Sequence, residues 1–256
     1  MAWSRLLQIQ LLKKGGNILQ AFEWHMVVNF IPTLLKYLPL TLYILGVSLI
    51  CGFIWGIIVA LPKVYKIPVL QQLSSIYISF FRGTPIMVQL FVVFYAIPAL
   101  TAAVGIDTSK MDPLYAAIAT YALSSAASIA EIVRAGINSV DKGQAEAAYS
   151  IGLTGRQTFF RIVLPQALVQ AAPNFWSLII GFLKDTSLAF SIGVMDMSGR
   201  GQTLITSSNH SLEVYISLAI IYYLTAIVLE KIFAFMEKHV KRNETRLLTI
   251  FDMNIQ

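Results

Sequence analysis

The residues able to do chemistry in this chain are few, and they sit in apolar company. Lys184, Asp185, Thr186 and Ser187 stand together in the string LKDTSL, deep inside an otherwise greasy run. A charged side chain in lipid is costly, so it faces a partner or a wet cavity. Neighbouring residues on a helix point about 100° apart, so Lys184 and Asp185 need not neutralise each other. Asp185 can then meet an ammonium group, with the Thr186 and Ser187 hydroxyls beside it. The alternative is a structural ion pair or a helix-breaking turn. A second set, Arg82, Thr84 and Pro85, lies in FFRGTPIMVQLF, where Gly83 and Pro85 break a helix. Arg82 can meet a carboxylate there, a substrate's or that of Glu131; otherwise the break is a kink held by backbone contacts. Glu131 and Arg134 are three apart and read as a local pair on one helix face. No catalytic residue is expected: the strings GxSxG, HExxH and GxxxxGK[ST] do not occur. His25, His210 and His239 have no ligand spacing, so no metal site is expected. Cys51, the single cysteine, reads as a small core residue.

A membrane must position these groups. The 256 residues are 57% hydrophobic and 12% charged, about half the charge of a soluble domain, and the mean hydropathy is +0.69. The expected fold is an all-α integral membrane protein with about five transmembrane helices. Apolar runs of spanning length cover 38–61, 69–100 (broken at RGTP), 114–133, 166–195 and 212–236. The chain divides into an N-terminal segment, 1–33, a membrane domain, 34–237, and a tail, 238–256. No cleavable signal peptide is expected. The net charge of +6 does not indicate a nucleic-acid partner, because the basic residues flank the spans. Eleven Lys and Arg fall in 62–68, 134–165 and 231–256, against Lys110 and Arg200 on the other side. The positive-inside rule makes the eleven-residue side, and the C-terminus, cytoplasmic. Arg5, Lys13, Lys14 and Lys36 spoil that score; an interfacial helix with Trp3 and Trp24 at headgroup level accounts for them.

One long polar segment, 137–165, interrupts the spans. In DKGQAEAAYSIGLTGRQTFFRIVLP, Asp141 can cap a helix, with Gln144 three residues on. Gly152 is placed to end that helix in the left-handed conformation. Thr154 and Gln157 form a second capping pair. Pro165 is expected to turn the chain back into the membrane. Ala147 and Ala148 leave a flat surface for another protein, and phenylalanines exposed in water call for a docking partner. An ordinary connecting loop is the plainer alternative.

Glu146-Ala147-Ala148, Gly152 four residues on and the closing Ile162-Val163-Leu164-Pro165 match the spacing of the EAA motif. With FFRGTPIMVQLF, AEIVRAGI, GQAEAA and LKDTSL in that order, the chain resembles permease subunits of polar amino acid ABC importers from about Thr41 to Phe235. The resemblance implies a type I importer permease fold. It also implies a dimer with a second copy or a paralogue, one ABC ATPase subunit docked on each permease, and an extracytoplasmic substrate-binding protein. No cofactor is expected on this chain; ATP and magnesium would sit on the ATPase. Glu146, Ala147, Ala148, Gly152, Ile162, Leu164 and Pro165 would form the coupling helix region. Arg82, Thr84, Pro85 and Lys184 to Ser187 are candidates for the amino acid path. The expected location is the cytoplasmic membrane. Two other classes fit poorly. A membrane enzyme lacks a nucleophile arrangement, and a complete carrier lacks an internal repeat.

Overall fold

The computed structural model describes residues 22–108 and 110–253, with side chains to residue 238. Trp3, Arg5, Lys13 and Lys14, and most of the expected interfacial helix, lie outside the described residues. Among the described residues every regular element is helical: α1 (Trp24–Leu35), α2 (Leu38–Val64), α3 (Pro68–Gly83), α4 (Ile86–Ala103), α5 (Pro113–Asn138), α6 (Lys142–Ser150) and α7 (Gly155–Thr158). A π turn (Phe159–Val163) leads into α8 (Leu164–Asp185), and a 3₁₀ stretch (Thr186–Ile192) into α9 (Met197–Ser208) and α10 (Ser211–Met253). Among the described residues five segments are long and apolar enough to cross a membrane: Leu38–Val64, Ile86–Ala103, Pro113–Asn138, Gly155–Ile192 and Ser211–Lys238.

Sequence explains why the helices start where they do. Pro39 and Pro113 occupy first turns, where no amide hydrogen is needed. Asp112 accepts from the Leu114 amide at 2.9 Å and caps α5, as Asp196 caps α9 through the Gly199 amide at 2.9 Å. Lipid gives no hydrophobic drive between helices, so small residues that admit close backbones set the packing. Gly52 and Gly56 of α2 do this against α5. A Cβ at Gly52 would come within 2.0 Å of Ser125 Oγ, and one at Gly56 within 2.9 Å of the Ala126 carbonyl. Gly136 repeats the device between α5 and α8, where a Cβ would meet the Ala167 carbonyl at 2.9 Å. The alanine-rich α5 is thereby the central post, packed by α2, α3, α4 and α8.

The second apolar run is not one helix. It divides at Thr84-Pro85 into α3, amphipathic and 16 residues long, and α4. The fourth span also differs from expectation. Asp185 is not midway along a helix but is the last residue of α8, where the chain tightens into the 3₁₀ stretch and then turns at Gly193, φ +94°.

Candidate functional site

Residues 139–165 form an elbow. Asp141 caps α6 by accepting from the Gly143 amide, and Gly152 ends the turn after α6 at φ +84°. The reciprocal Thr154–Gln157 capping box is present in full. Pro165 behaves otherwise than expected. It does not turn the chain; it lies in the first turn of α8, and α7, the π turn and α8 run on as one helical rod. Proline tolerates a first turn because its missing amide would be unpaired there. The Leu164 amide bonds back to the Phe159 carbonyl across the wide turn instead. The elbow is thus one free helix, α6, folded against the lower end of a span.

Its surface follows from that geometry. Glu146, Ala147, Tyr149 and Gly152 are exposed, while Ala148 is turned inward and buried, so the flat outer face has one alanine and not two. Ile162, Leu164 and Pro165 are half-buried beneath it. A cleft of about 470 Å³ opens beside α6, lined by Tyr65, Tyr149, Arg156, Thr158, Phe159 and Phe160 among others. Arg156 sits over the Phe160 ring at 6.0 Å. Tyr65 follows α2, so the turn at 65–67 and the elbow share one end of the bundle.

At that same end Glu131 holds two cations. It accepts from Lys63 Nζ at 2.5 Å and from Arg134 Nη2 at 2.6 Å and Nε at 3.0 Å. The expected pair of Glu131 with Arg134 is present, Lys63 of α2 joins it, and Arg82 does not pair with Glu131.

The remaining candidates gather around two helix ends. Tyr121 of α5 donates to the Asp185 carbonyl at 2.8 Å, and Tyr77 of α3 to the Leu123 carbonyl at 2.6 Å. Neighbouring positions of α5 therefore tie down both the end of α8 and the run-up to the α3–α4 break. Lys184 is exposed and Asp185 half-buried. The Thr186 hydroxyl donates to the Leu183 carbonyl at 2.7 Å and that of Ser187 to the Lys184 carbonyl at 2.6 Å. These hydroxyl hydrogens serve the last turn of α8; Thr186 is buried, 1% exposed, contrary to its expected place on the path, and only the half-buried Ser187 keeps an oxygen to offer a ligand.

At the other break Arg82 and Pro85 are exposed and Thr84 is half-buried. Gln89, which sequence reasoning passed over, is only 3% exposed. Its Nε2 donates to the Phe81 carbonyl at 2.8 Å and to the Thr84 carbonyl and Oγ1 at 2.9 Å. A lone amide in the run IMVQLFVVF was the available signal, since a polar group in an apolar helix needs a partner. Asp196 was also passed over. Its carboxylate accepts from Thr41 Oγ1 at 3.3 Å and anchors α9 to α2; burial pushes it up to about 6, against the pull of the Gly199 amide and the Thr41 hydroxyl.

Residues 52–242 match the family described as the inner membrane component of binding-protein-dependent transport systems. The chain is 68% identical over 236 residues to the L-cystine transport system permease protein TcyL of Bacillus subtilis (strain 168), covering 92% of this chain and 99% of that one. It is 30% identical over 220 residues to the glutamine transport system permease protein GlnP of Escherichia coli (strain K12), covering 86% and 98%. The crystal structure of an amino acid ABC transporter with histidines superposes with a TM-score of 0.76 at 28% identity, over 86% of this chain and 100% of that one. An inward-facing MetNI methionine ABC transporter shares the fold, with a TM-score of 0.66 at 18% identity over 81% and 95%.

Proposed function

The chain belongs to the family of inner membrane components of binding-protein-dependent transport systems, and we propose that within it this permease carries L-cystine. It is the membrane-spanning subunit of an ATP-driven amino acid importer, a transport component and not a catalytic one. The 68% identity to a cystine permease over nearly both full lengths supports the substrate assignment.

The observation that carries the mechanism is the elbow. A capped helix with an exposed Glu146-Ala147 face projects from the end of a span, fixed by a left-handed glycine. It docks on an ATPase subunit that holds ATP and magnesium. Ile162, Leu164 and Pro165 pass the displacement into α8, because the rod is continuous from Gly155 to Asp185. Two permeases, copies or paralogues, rock between inward-open and outward-open arrangements as the two ATPases close. A binding protein delivers the amino acid from outside. The elbow, and with it the C-terminal tail, faces the cytoplasm, as the eleven basic residues on that side argue. Arg82, Thr84, Pro85, Lys184, Asp185 and Ser187 line the path, with Asp185 meeting an ammonium group.

The test is uptake by the reconstituted complex, challenged with a panel of unlabelled amino acids. Cystine should compete best. Stronger competition by glutamine or arginine would reject the substrate assignment, and uptake without an ATPase would reject the mechanism.

A further inference from the structure

The cleft beside α6 holds a cation with no counter-ion among the described residues. Arg156 is exposed there, its guanidinium over the Phe160 ring at 6.0 Å, while Glu131 at the same end of the bundle is engaged by Lys63 and Arg134. Thr158 lines the same cleft and is only 1% exposed. Its amide takes the Thr154 carbonyl at 2.8 Å, and its Oγ1 has no partner among the described residues. Thr120 and Thr225, elsewhere in the helices, settle that need by donating to the carbonyl four residues back, both at 2.7 Å. A buried hydroxyl left unmade is costly, and a ligand oxygen would meet the need. Tyr65 and Tyr149, both exposed, add two phenol hydroxyls to the lining. All four groups can donate and the guanidinium cannot accept, so the cleft suits an anion. Phe159, Phe160 and Val163 make the rest of the lining apolar. Its place matters as much as its chemistry. Val163 precedes α8 and Tyr65 follows α2, so the cleft opens where two spans leave the membrane. The surroundings are basic: in 62–68 and 134–165 six Lys and Arg stand against Asp141 and Glu146.

We propose that this cleft binds the headgroup of an anionic phospholipid. Arg156 holds the phosphate, for which a guanidinium fork is matched in shape and charge. The Thr158 hydroxyl donates to a phosphate oxygen, and the glycerol end of the lipid lies on Phe159, Phe160 and Val163. A basic pocket between span ends, apolar on one side, is the arrangement that recognises a lipid headgroup. An acidic side chain of the ATPase would satisfy Arg156 but would leave the apolar lining bare at the membrane boundary. The lipid sits between the turn at 65–67 and the elbow, and so ties the pose of α6 to the leaflet beside it. The site is independent of which amino acid is carried.

The experiment is native mass spectrometry of the purified permease–ATPase complex, titrated with an equimolar mixture of phosphatidylglycerol and phosphatidylcholine of matched chains. The wild-type complex should retain phosphatidylglycerol, one per permease, in preference to phosphatidylcholine. Arg156→Gln should weaken that retention about 10- to 100-fold, the loss of a charge-assisted bond. Thr158→Val should weaken it about 2- to 10-fold, the loss of a neutral one. Arg161→Gln removes an exposed charge of the same rod outside the cleft and should retain the lipid as the wild type does. Equal retention of the two lipids by the wild type, or equal falls in Arg156→Gln and Arg161→Gln, would overturn the site. Full retention in Thr158→Val would take the hydroxyl out of it. Displacement of the lipid by inorganic phosphate at the same concentration would show that the cleft reads free phosphate, and would overturn the lipid as its occupant. A last arm uses nanodiscs of phosphatidylcholine alone, where Arg156→Gln should dock the ATPase as tightly as the wild type. Weaker docking there would assign the guanidinium to an acid of the ATPase and overturn the proposal.

Discussion

Gly152 offers a clean perturbation of the elbow. Its φ of +84° lies in the left-handed region, and a Cβ added there meets no atom within 4 Å. Substitution therefore costs backbone strain and nothing else. For an ordinary residue that strain is about 1–2 kcal/mol, and less for asparagine, which tolerates the conformation. If α6 docks on an ATPase in the pose seen here, the strain enters the docking constant directly, about 5- to 30-fold at 1.4 kcal/mol per decade. The series Gly152→Asn, Gly152→Ala, Gly152→Val should then weaken ATPase co-purification in that order, with the amount of permease in the membrane unchanged. Calibrated binding of the ATPase to permease in nanodiscs reads the effect. Equal docking by all three variants would show that the pose of α6 is not what the partner recognises.

Four further outcomes follow from the same geometry. Asp185→Asn should lower uptake at limiting substrate by about 10- to 100-fold, the loss of a charge-assisted bond, and leave basal ATP hydrolysis per complex intact; a parallel loss of both would make Asp185 structural. Gly52→Val forces a side chain into Ser125 and the Ala122 carbonyl, and overpacking of this kind costs about 1–3 kcal/mol, read as a lower unfolding temperature in detergent. Glu131→Gln leaves Lys63 and Arg134 without their carboxylate and should loosen the α2–α5 contact; thermal unfolding of the Lys63→Met, Glu131→Gln double variant, no lower than that of Glu131→Gln alone, would confirm the coupling. In a Cys51→Ser background, a cysteine at Lys142 should be protected from impermeant thiol reagents in intact cells and one at Lys110 should react; labelling at 142 would reverse the proposed orientation.

Much of this architecture is legible in the sequence because lipid leaves a chain few options. Apolar runs of spanning length become helices, as 38–61 does within Leu38–Val64, since every backbone group must be paired internally. The elbow was legible for a local reason: Asp141, Gly152 and the Thr154–Gln157 box act within a few residues of themselves. What was hidden depends on which elements meet. Lys63 looked like an orientation signal until α2 brought it to Glu131. Ala148 and Ala147 are indistinguishable in the string, and only the packing of α6 on the π turn buries one of them. Pro165 was misread because a proline closing a polar stretch resembles a stop, whereas the same residue is at ease in the first turn of the helix that follows. Asp185 reads as deep inside an apolar run because apolar residues continue through the 3₁₀ stretch after the helix has ended.

The central claim is that a soluble ATPase, working through the elbow, drives this membrane subunit. It is tested most directly by the ATP hydrolysis rate of the reconstituted permease–ATPase complex, with and without cystine-loaded binding protein on the opposite face. Hydrolysis should rise several-fold with the loaded binding protein, in step with cystine uptake, and at limiting ATPase both rises should shrink together in Gly152→Val. Cystine uptake that continues when ATP is withheld, or hydrolysis indifferent to the loaded binding protein, would contradict the account.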